Sequence, residues 1–388
     1  MTPEQLAELI TLRHELHKIP EVSGDEEKTA RQIQSYLRQN SPDQLLTGLG
    51  GHGVAAIYNG QAEGQTVLIR CELDGLPIEE VSDHAYRSTH QGRGHLCGHD
   101  GHMVMVAALA KELAQQRPRQ GRVVLLFQPA EETGKGAAAV IADPRFAEIA
   151  PDFAFSLHNL PGLEVGKIAL CNGVANCASR GMRIKLTGKT SHAAAPQDGV
   201  SPATALSHLL TELPALGGGE NLGPDFALVT LTHANLGEAT FGIAPGEAEI
   251  WTTLRCVTDR RMEQLIAEAT DLVQQCADAE GLGVQIEFDD IFEACTNHPE
   301  ASAILAEAAA NAGSPAEIQE QPQRWSEDFG QFGKQAKSAM FWLGSGEDQP
   351  QLHNPDYDFP DAAIPVGVAV FKEAIDVILN DDALRNSS

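Results

Sequence analysis

The run Val123-Val124-Leu125-Leu126-Phe127 is apolar at five successive positions. Side chains of a strand alternate between two faces, so a strand with no polar position must be covered on both sides. That condition is met by a sheet buried between helices. The runs Gly53 to Tyr58, Thr66 to Cys71 and Phe153 to Leu157 have similar character, and a helical pattern from about Gly101 to Gln116 falls among them. Residues 1 to about 175 therefore read as an α/β domain. In such sheets, sites gather in the loops beyond strand ends, and the chemically interesting residues of this chain follow these strands.

A chain of 388 residues is long for one core, so two domains are expected. The middle of the sequence changes pattern to βαββαβ: strand Arg180 to Thr187, helix Ser201 to Leu216, strands Phe226 to His233 and Glu247 to Cys256, helix Asp259 to Glu280, strand Val284 to Phe292. This is a ferredoxin-like α+β unit, inserted in one piece as a lid or dimerisation domain. A helix near 301–311, a strand 339–343 and a final helix near 361–379 return to the first domain. The expected division is 1–178 with 294–388 for the catalytic domain and 179–293 for the insert.

Charge narrows the partners. Fifty-four acidic against 27 basic side chains give a net charge of -27, which repels nucleic-acid backbones and anionic lipid and leaves a small-molecule substrate as the better fit. Seven scattered cysteines form no CxxC pair or disulfide framework, which suits a reducing compartment. The opening MTPEQLAELITLRHELHKIP reads as an amphipathic helix with Thr2 as N-cap, Pro3 at the first helical position and Gln5 closing a capping box, not as a leader. A cytoplasmic protein is expected.

Three motif matches fail on context. Gly48-Leu49-Gly50-Gly51-His52-Gly53 fits GxGxxG but leads into a strand-like VAAIY instead of a helix, Gly188-Lys189-Thr190 lacks the first P-loop glycine because Arg183 stands there, and His14-Glu15-Leu16-His17 is one residue short of HExxH. The stretch HLCGHDGHM (95–103) is different. Cys97 and His99, two apart in a glycine-containing loop, can turn a thiolate and an imidazole toward one ion. Locally the same residues fit a helix beginning near Gly101, capped by Asp100, with Cys97 as a buried thiol. Elsewhere Gln128-Pro129-Ala130-Glu131-Glu132 places two carboxylates just past VVLLF, whose side chains point apart if the backbone is extended, and His158-Asn159 and His353-Asn354 each precede a proline. Together these suit one or two divalent cations with a carboxylate base to spare. A Cys97–His99 nucleophilic dyad is the competing assignment, and it leaves Glu131, Glu132, His158 and His353 without a task.

Eight ordered pieces carry a resemblance: LHKIPEVSGDEEKTA, RCELDGLPIEE, HLCGHDGHM, FQPAEETGKGA, HNLPGLEVGKI, GKTSHAAAP, SEDF and LHNPDYDF. The sequence resembles the amidohydrolase branch of the co-catalytic metallopeptidases, which holds aminoacylases, hippurate hydrolase and plant auxin-conjugate hydrolases. The resemblance implies a mixed-sheet metallopeptidase-like catalytic domain in which Cys97, His99, Glu132, His158 and His353 hold two divalent ions, whether manganese, zinc, nickel or cobalt. It implies Glu131 as general base, and His192 reaching a centre across a homodimer interface to stabilise the oxyanion. Glu72, Asp74 and Asp100 would stand behind the ligands, and Arg255 is the candidate for a substrate's carboxylate. Three departures matter. Glu72 replaces the usual aspartate, Gly242 removes an asparagine amide before Pro245, and Thr133-Gly134-Lys135 replaces a more uniformly glycine-rich loop. The activity implied is hydrolysis of N-acyl amino acids or similar small amides. A dipeptidase or aminopeptidase on the same scaffold, and a non-catalytic small-molecule binder, are the alternatives.

Overall fold

VVLLF lies inside the strand Arg122–Gln128, with all five residues fully buried. The computed structural model describes residues 1–218 and 221–380. The strand is third in an eight-stranded mixed sheet ordered 44–49, 53–59, 122–128, 66–72, 153–161, 337–346, 168–171, 317–319. It pairs parallel with Thr66–Glu72 and antiparallel with Gly53–Asn59. Phe153–Pro161 runs parallel to both Thr66–Glu72 and Lys337–Gly346. The parallel strands 66–72, 122–128 and 153–161 therefore end together, and Glu72, Gln128 and His158 sit at that common end. Helices Pro3–His17, Glu27–Gln39, His99–Gln115, Pro299–Asn311 and Ile364–Leu379 contribute residues such as Leu16, Ile33, Val106, Leu305 and Phe371 to a single core with the sheet.

The first helix carries its capping box: Gln5 N–H donates to Thr2 Oγ1 at 3.3 Å and Thr2 N–H to Gln5 Oε1 at 2.7 Å. Among the elements that go beyond the sequence reading are helix Glu27–Gln39 and strands Gln44–Leu49, Ile168–Cys171 and Glu317–Gln319. The helix is polar on most of its surface and buries only Thr29, Ala30, Ile33 and Leu37. The last two strands are too short to display a period.

The chain divides into two units, one of Met1–Ala175, Thr296–Glu320 and Asp328–Ser388, the other of Asn176–Cys295 and Gln321–Glu327. The second is built on a four-stranded antiparallel sheet ordered 227–236, 247–256, 178–187, 283–292. Helices Ala203–Ala215 and Asp259–Glu280 pack against it, the longer one capped by Thr258 Oγ1. Its short segment 321–327 is stitched in by Cys177 N–H donating to Gln323 O and by Arg255.

Candidate metal centre

The turn from Cys97 to His99 depends on Gly98. Its φ is +89°, a left-handed conformation that favours glycine, and a Cβ there would lie 2.5 Å from Asn159 Oδ1. The helix starts at His99, two residues earlier than the sequence suggests. Asp100 is consequently inside the first turn and does not cap it. Its Oδ2 accepts instead from Arg13 Nη1 and His17 Nδ1, both at 2.9 Å.

Two imidazoles are oriented by backbone carbonyls. His99 Nδ1 lies 2.8 Å from Asp74 O, and His158 Nδ1 lies 2.9 Å from Asn159 O. A carbonyl only accepts, so each Nδ1 carries the proton and each Nε2 presents its lone pair, the arrangement found in metal-ligating histidines. His99 Nε2 is buried with no hydrogen-bond partner among the described residues. His158 Nε2 lies 3.4 Å from Cys97 Sγ. Burial, then the nearby His102 and His99, hold the His158 imidazole well below its ordinary pKa, so it is neutral and available as a donor.

The carboxylates close the other side. His99 Nε2 is 3.9 Å from both Glu131 Oε2 and Glu132 Oε1, and His353 Nε2 is 3.5 Å from Glu132 Oε2. Extended backbone would point Glu131 and Glu132 apart. Here the strand stops at Gln128 and the chain turns through Ala130, at φ +51°, so both carboxylates approach the same imidazole. His353 also has a left-handed backbone, φ +66°, and its N–H donates to Leu96 O at 2.9 Å, which ties the C-terminal loop to the Cys97 turn.

Cys97 with His99 and His158 forms one group of donor atoms lying within 4.8 Å of one another, and Cys97 with Glu132 and His353 forms another. Cys97 is common to both, as a thiolate between two ions would be. Without a cation, burial and then Glu132, Glu131 and Glu72 push its thiol pKa well up, so the site favours a positive charge among these groups. Thiol, imidazole and carboxylate donors together fit divalent transition metals.

Buried carboxylates stand behind these donors. Asp74 is fully buried, and its Oδ2 accepts Glu132 N–H at 3.0 Å and Ser23 Oγ at 2.7 Å. Glu72, also buried, accepts from Arg70 and lies 2.6 Å from His102 Nδ1. Arg70 Nη2 in turn donates to Asp328 Oδ1 at 2.6 Å, so Asp328 of SEDF braces the arginine that holds Glu72. Arg13 and His17 went unrecognised. Both lie one turn apart on the first helix and are fully buried, and Arg13 also binds Asp358 and Asp361 at 2.9 and 2.6 Å. Their i,i+4 spacing was the available signal. His95 is buried with neither ring nitrogen hydrogen-bonded among the described residues, and burial drops its pKa to about 3.

His192 and Arg255 belong to the second unit. His192 is exposed, on a two-residue bridge paired with Ile243, and its Nδ1 accepts Ala194 N–H at 3.0 Å. The ring proton therefore sits on Nε2, directed away from that bond. Arg255 Nη1 donates to Arg324 O and Ser326 Oγ, each at 3.0 Å.

Peptidase family M20/M25/M40 matches residues 68–377. N-acetyldiaminopimelate deacetylase of Streptococcus sanguinis (strain SK36) is 29% identical over 386 residues, covering 97% of this chain and 100% of that protein. N-acetyl-L-cysteine deacetylase of Bacillus subtilis (strain 168) is 30% identical over 359 residues, covering 92% and 85%. The crystal structure of Bacillus subtilis YXEP, described as a dinuclear metal binding peptidase from the M20 family, superposes with a TM-score of 0.82 at 25% identity, covering 97% of this chain and 99% of that one.

Proposed function

The chain belongs to peptidase family M20/M25/M40, and from that premise we propose that it removes the acyl group from an N-acyl amino acid or similar small amide. The observation that carries this reading is the pair Glu131 and Glu132 beside two donor groups joined through Cys97, in a chain whose relatives include two kinds of deacetylase. Cys97, His99, Glu132, His158 and His353 would hold two divalent ions, drawn from manganese, zinc, nickel or cobalt. Bound there, they supply Lewis-acid polarisation of the scissile carbonyl and make an adjacent water more acidic. Glu131 takes the proton of the attacking water and returns it to the leaving amine. His192, with its proton on Nε2, donates to the oxyanion of the tetrahedral intermediate.

Support for a homodimer comes from the second unit. Its edge strand Ala227–Leu236, ALVTLTHANL, has no charged residue, and Thr232 to Leu236 are exposed on both faces. The opposite edge, Gly283–Phe292, carries Glu287, Asp289 and Asp290 and an irregular register, the usual protection against pairing. An uncharged edge suits union with a second copy, which would deliver each His192 to its partner's centre. Seven cysteines without a disulfide suit a cytoplasmic location. No helix among the described residues is long and apolar enough to cross a membrane.

The test compares N-acetyl amino acids with the corresponding free-amine dipeptides, using protein of known metal content. Hydrolysis of the acylated substrates is expected. Turnover confined to free-amine dipeptides would replace this reading with a peptidase.

A further inference from the structure

Helix Glu27–Gln39 begins with an unusual division of labour. Glu26 occupies its N-cap position, yet makes no side-chain bond to the helix. Glu21 does that work: its Oε2 accepts the N–H groups of Lys28 and Thr29 at 2.8 Å each and the Thr29 hydroxyl at 3.0 Å. Glu26 is nevertheless fully buried. Its Oε1 accepts the N–H of Gly24 and, from the other end of a long sequence separation, the N–H of Ala130, both at 2.8 Å. Burial of a carboxylate is costly, so a carboxylate spent on one distant backbone N–H calls for a reason.

Ala130 supplies one. An L-residue with a Cβ does not hold a left-handed backbone without support, and Ala130 stands at φ +51° immediately before Glu131. Its carbonyl accepts Gly136 N–H at 3.0 Å, and Gly136 approaches so closely that a Cβ would lie 1.7 Å from Pro129 O. On the far side of Glu131, the N–H of Glu132 is held by Asp74 Oδ2, which Ser23 Oγ also reaches. The N–H groups of both residues that flank Glu131 are thus tied to buried carboxylates, and both ties lead back to the turn from Ser23 to Glu26.

We infer that Glu26 is a positioning residue for the general base: by holding Ala130 in the left-handed conformation it sets the direction of the Glu131 carboxylate. The inference rests on the reading of Glu131 as base. It fits the division of labour at the helix start, because Glu21 leaves Glu26 free for a distant task. Glu26 itself touches neither substrate nor reacting atoms.

The experiment uses the full-length protein with Glu26→Ala, Glu26→Gln, Ala130→Gly, Ala130→Val and the Glu26→Ala/Ala130→Gly double variant. It measures kcat and KM on an N-acetyl amino acid, metal content per subunit, and hydrogen–deuterium exchange over residues 128–134 of the metal-free protein. Glu26→Ala is expected to lower kcat about ten- to hundredfold with KM and metal content preserved, since a small misdirection of a catalytic group costs that much. Exchange over 128–134 accelerates in the same variant. Glu26→Gln, whose carbonyl still accepts, recovers kcat to within about threefold, and in the Ala130→Gly background loss of Glu26 costs less than about threefold, because glycine needs no support there. Ala130→Val, with a branched side chain at a positive φ, lowers kcat with Glu26 intact and keeps the test open if Glu26→Ala does not fold. An unchanged kcat in Glu26→Ala or Ala130→Val, or an equal loss in both backgrounds at position 130, overturns the inference. Glu131→Gln is the control: if it retains turnover the base reading falls, whereas an inactive Glu131→Gln beside a fully active Glu26→Ala refutes the positioning role alone.

Discussion

Gly98 separates two residues of the donor set, and replacing it with alanine tests whether the turn between them is built as described. The first cost is conformational. A left-handed φ of +89° disfavours any residue with a Cβ, by about 1–2 kcal/mol. The second is steric, because the added Cβ meets Asn159 Oδ1, Cγ and Nδ2 at 2.5, 2.9 and 3.0 Å. Asn159 has no room to yield: it is fully buried, its Nδ2 donates to the Tyr357 hydroxyl at 2.6 Å, and its Oδ1 lies 2.5 Å from His102 Nε2. Overpacking of this kind costs about 1–3 kcal/mol. The sum is about 2–5 kcal/mol. At about 2–4 °C per kcal/mol for a unit of this size, Gly98→Ala should melt about 4–20 °C lower. Calorimetry on the metal-free protein is the appropriate assay, because it separates packing from ligand loss. A metal titration of the same variant should then give a smaller rise in melting temperature than the unsubstituted chain shows, since Cys97 and His99 no longer converge. A metal-free melting temperature within 2 °C of the parent would refute the claim that the turn requires glycine.

Three further outcomes follow from other parts of the molecule. Dialysis against a chelator should abolish amide hydrolysis, with recovery on adding manganese, zinc, cobalt or nickel, and should reduce stability by the binding free energy lost, about 2.7 kcal/mol per ion where free metal had stood at 100 times Kd, read as a lower melting temperature; equal melting with and without metal would contradict the assignment of the donor set. Burial alone would depress the pKa of His17, but Asp100 and Glu80 outweigh it and raise it to about 10. A folded pKa above the unfolded value gives stability that is complete below about pH 6.5 and fades as pH rises toward the folded pKa, so the melting gap between the parent and His17→Gln should narrow from pH 6.5 to 10, and a widening gap would reverse the argument. His192→Ala should lower kcat about a hundredfold or more, the worth of one oxyanion donor. Mixing that variant with Glu131→Gln should restore part of the activity through hybrid dimers, and no recovery would remove His192 from the partner's site.

The sheet was legible because its central strand announces itself: five apolar residues in VVLLF admit few environments, and the loops after such strands are where donors gather. The site was legible only jointly. Cys97 and His99 fit a capped helix as well as a metal loop until Glu131, Glu132, His158 and His353 are set beside them, because distance along the chain conceals which strand ends share an edge of the sheet. What stayed hidden has a common physical cause. Asp100 resembles a cap because aspartate usually is one near a helix start, and only the left-handed Gly98 moves that start back to His99 and sends the carboxylate to Arg13 and His17. Among the described residues, the non-glycine positions with positive φ are Ser41, Ala130, Asp290 and His353. Sequence reading detects left-handed backbone through glycine or asparagine, so an alanine and a histidine in that conformation pass as ordinary residues. Ala130 borders the candidate base and His353 is a candidate ligand, so two of these four strained positions lie at the metal centre. The strain there is maintained by contacts from elsewhere, Glu26 for Ala130 and Leu96 O for His353. The parts of this site that the sequence conceals are therefore its backbone conformations and the distant groups that hold them, while its donor atoms lie in plain view.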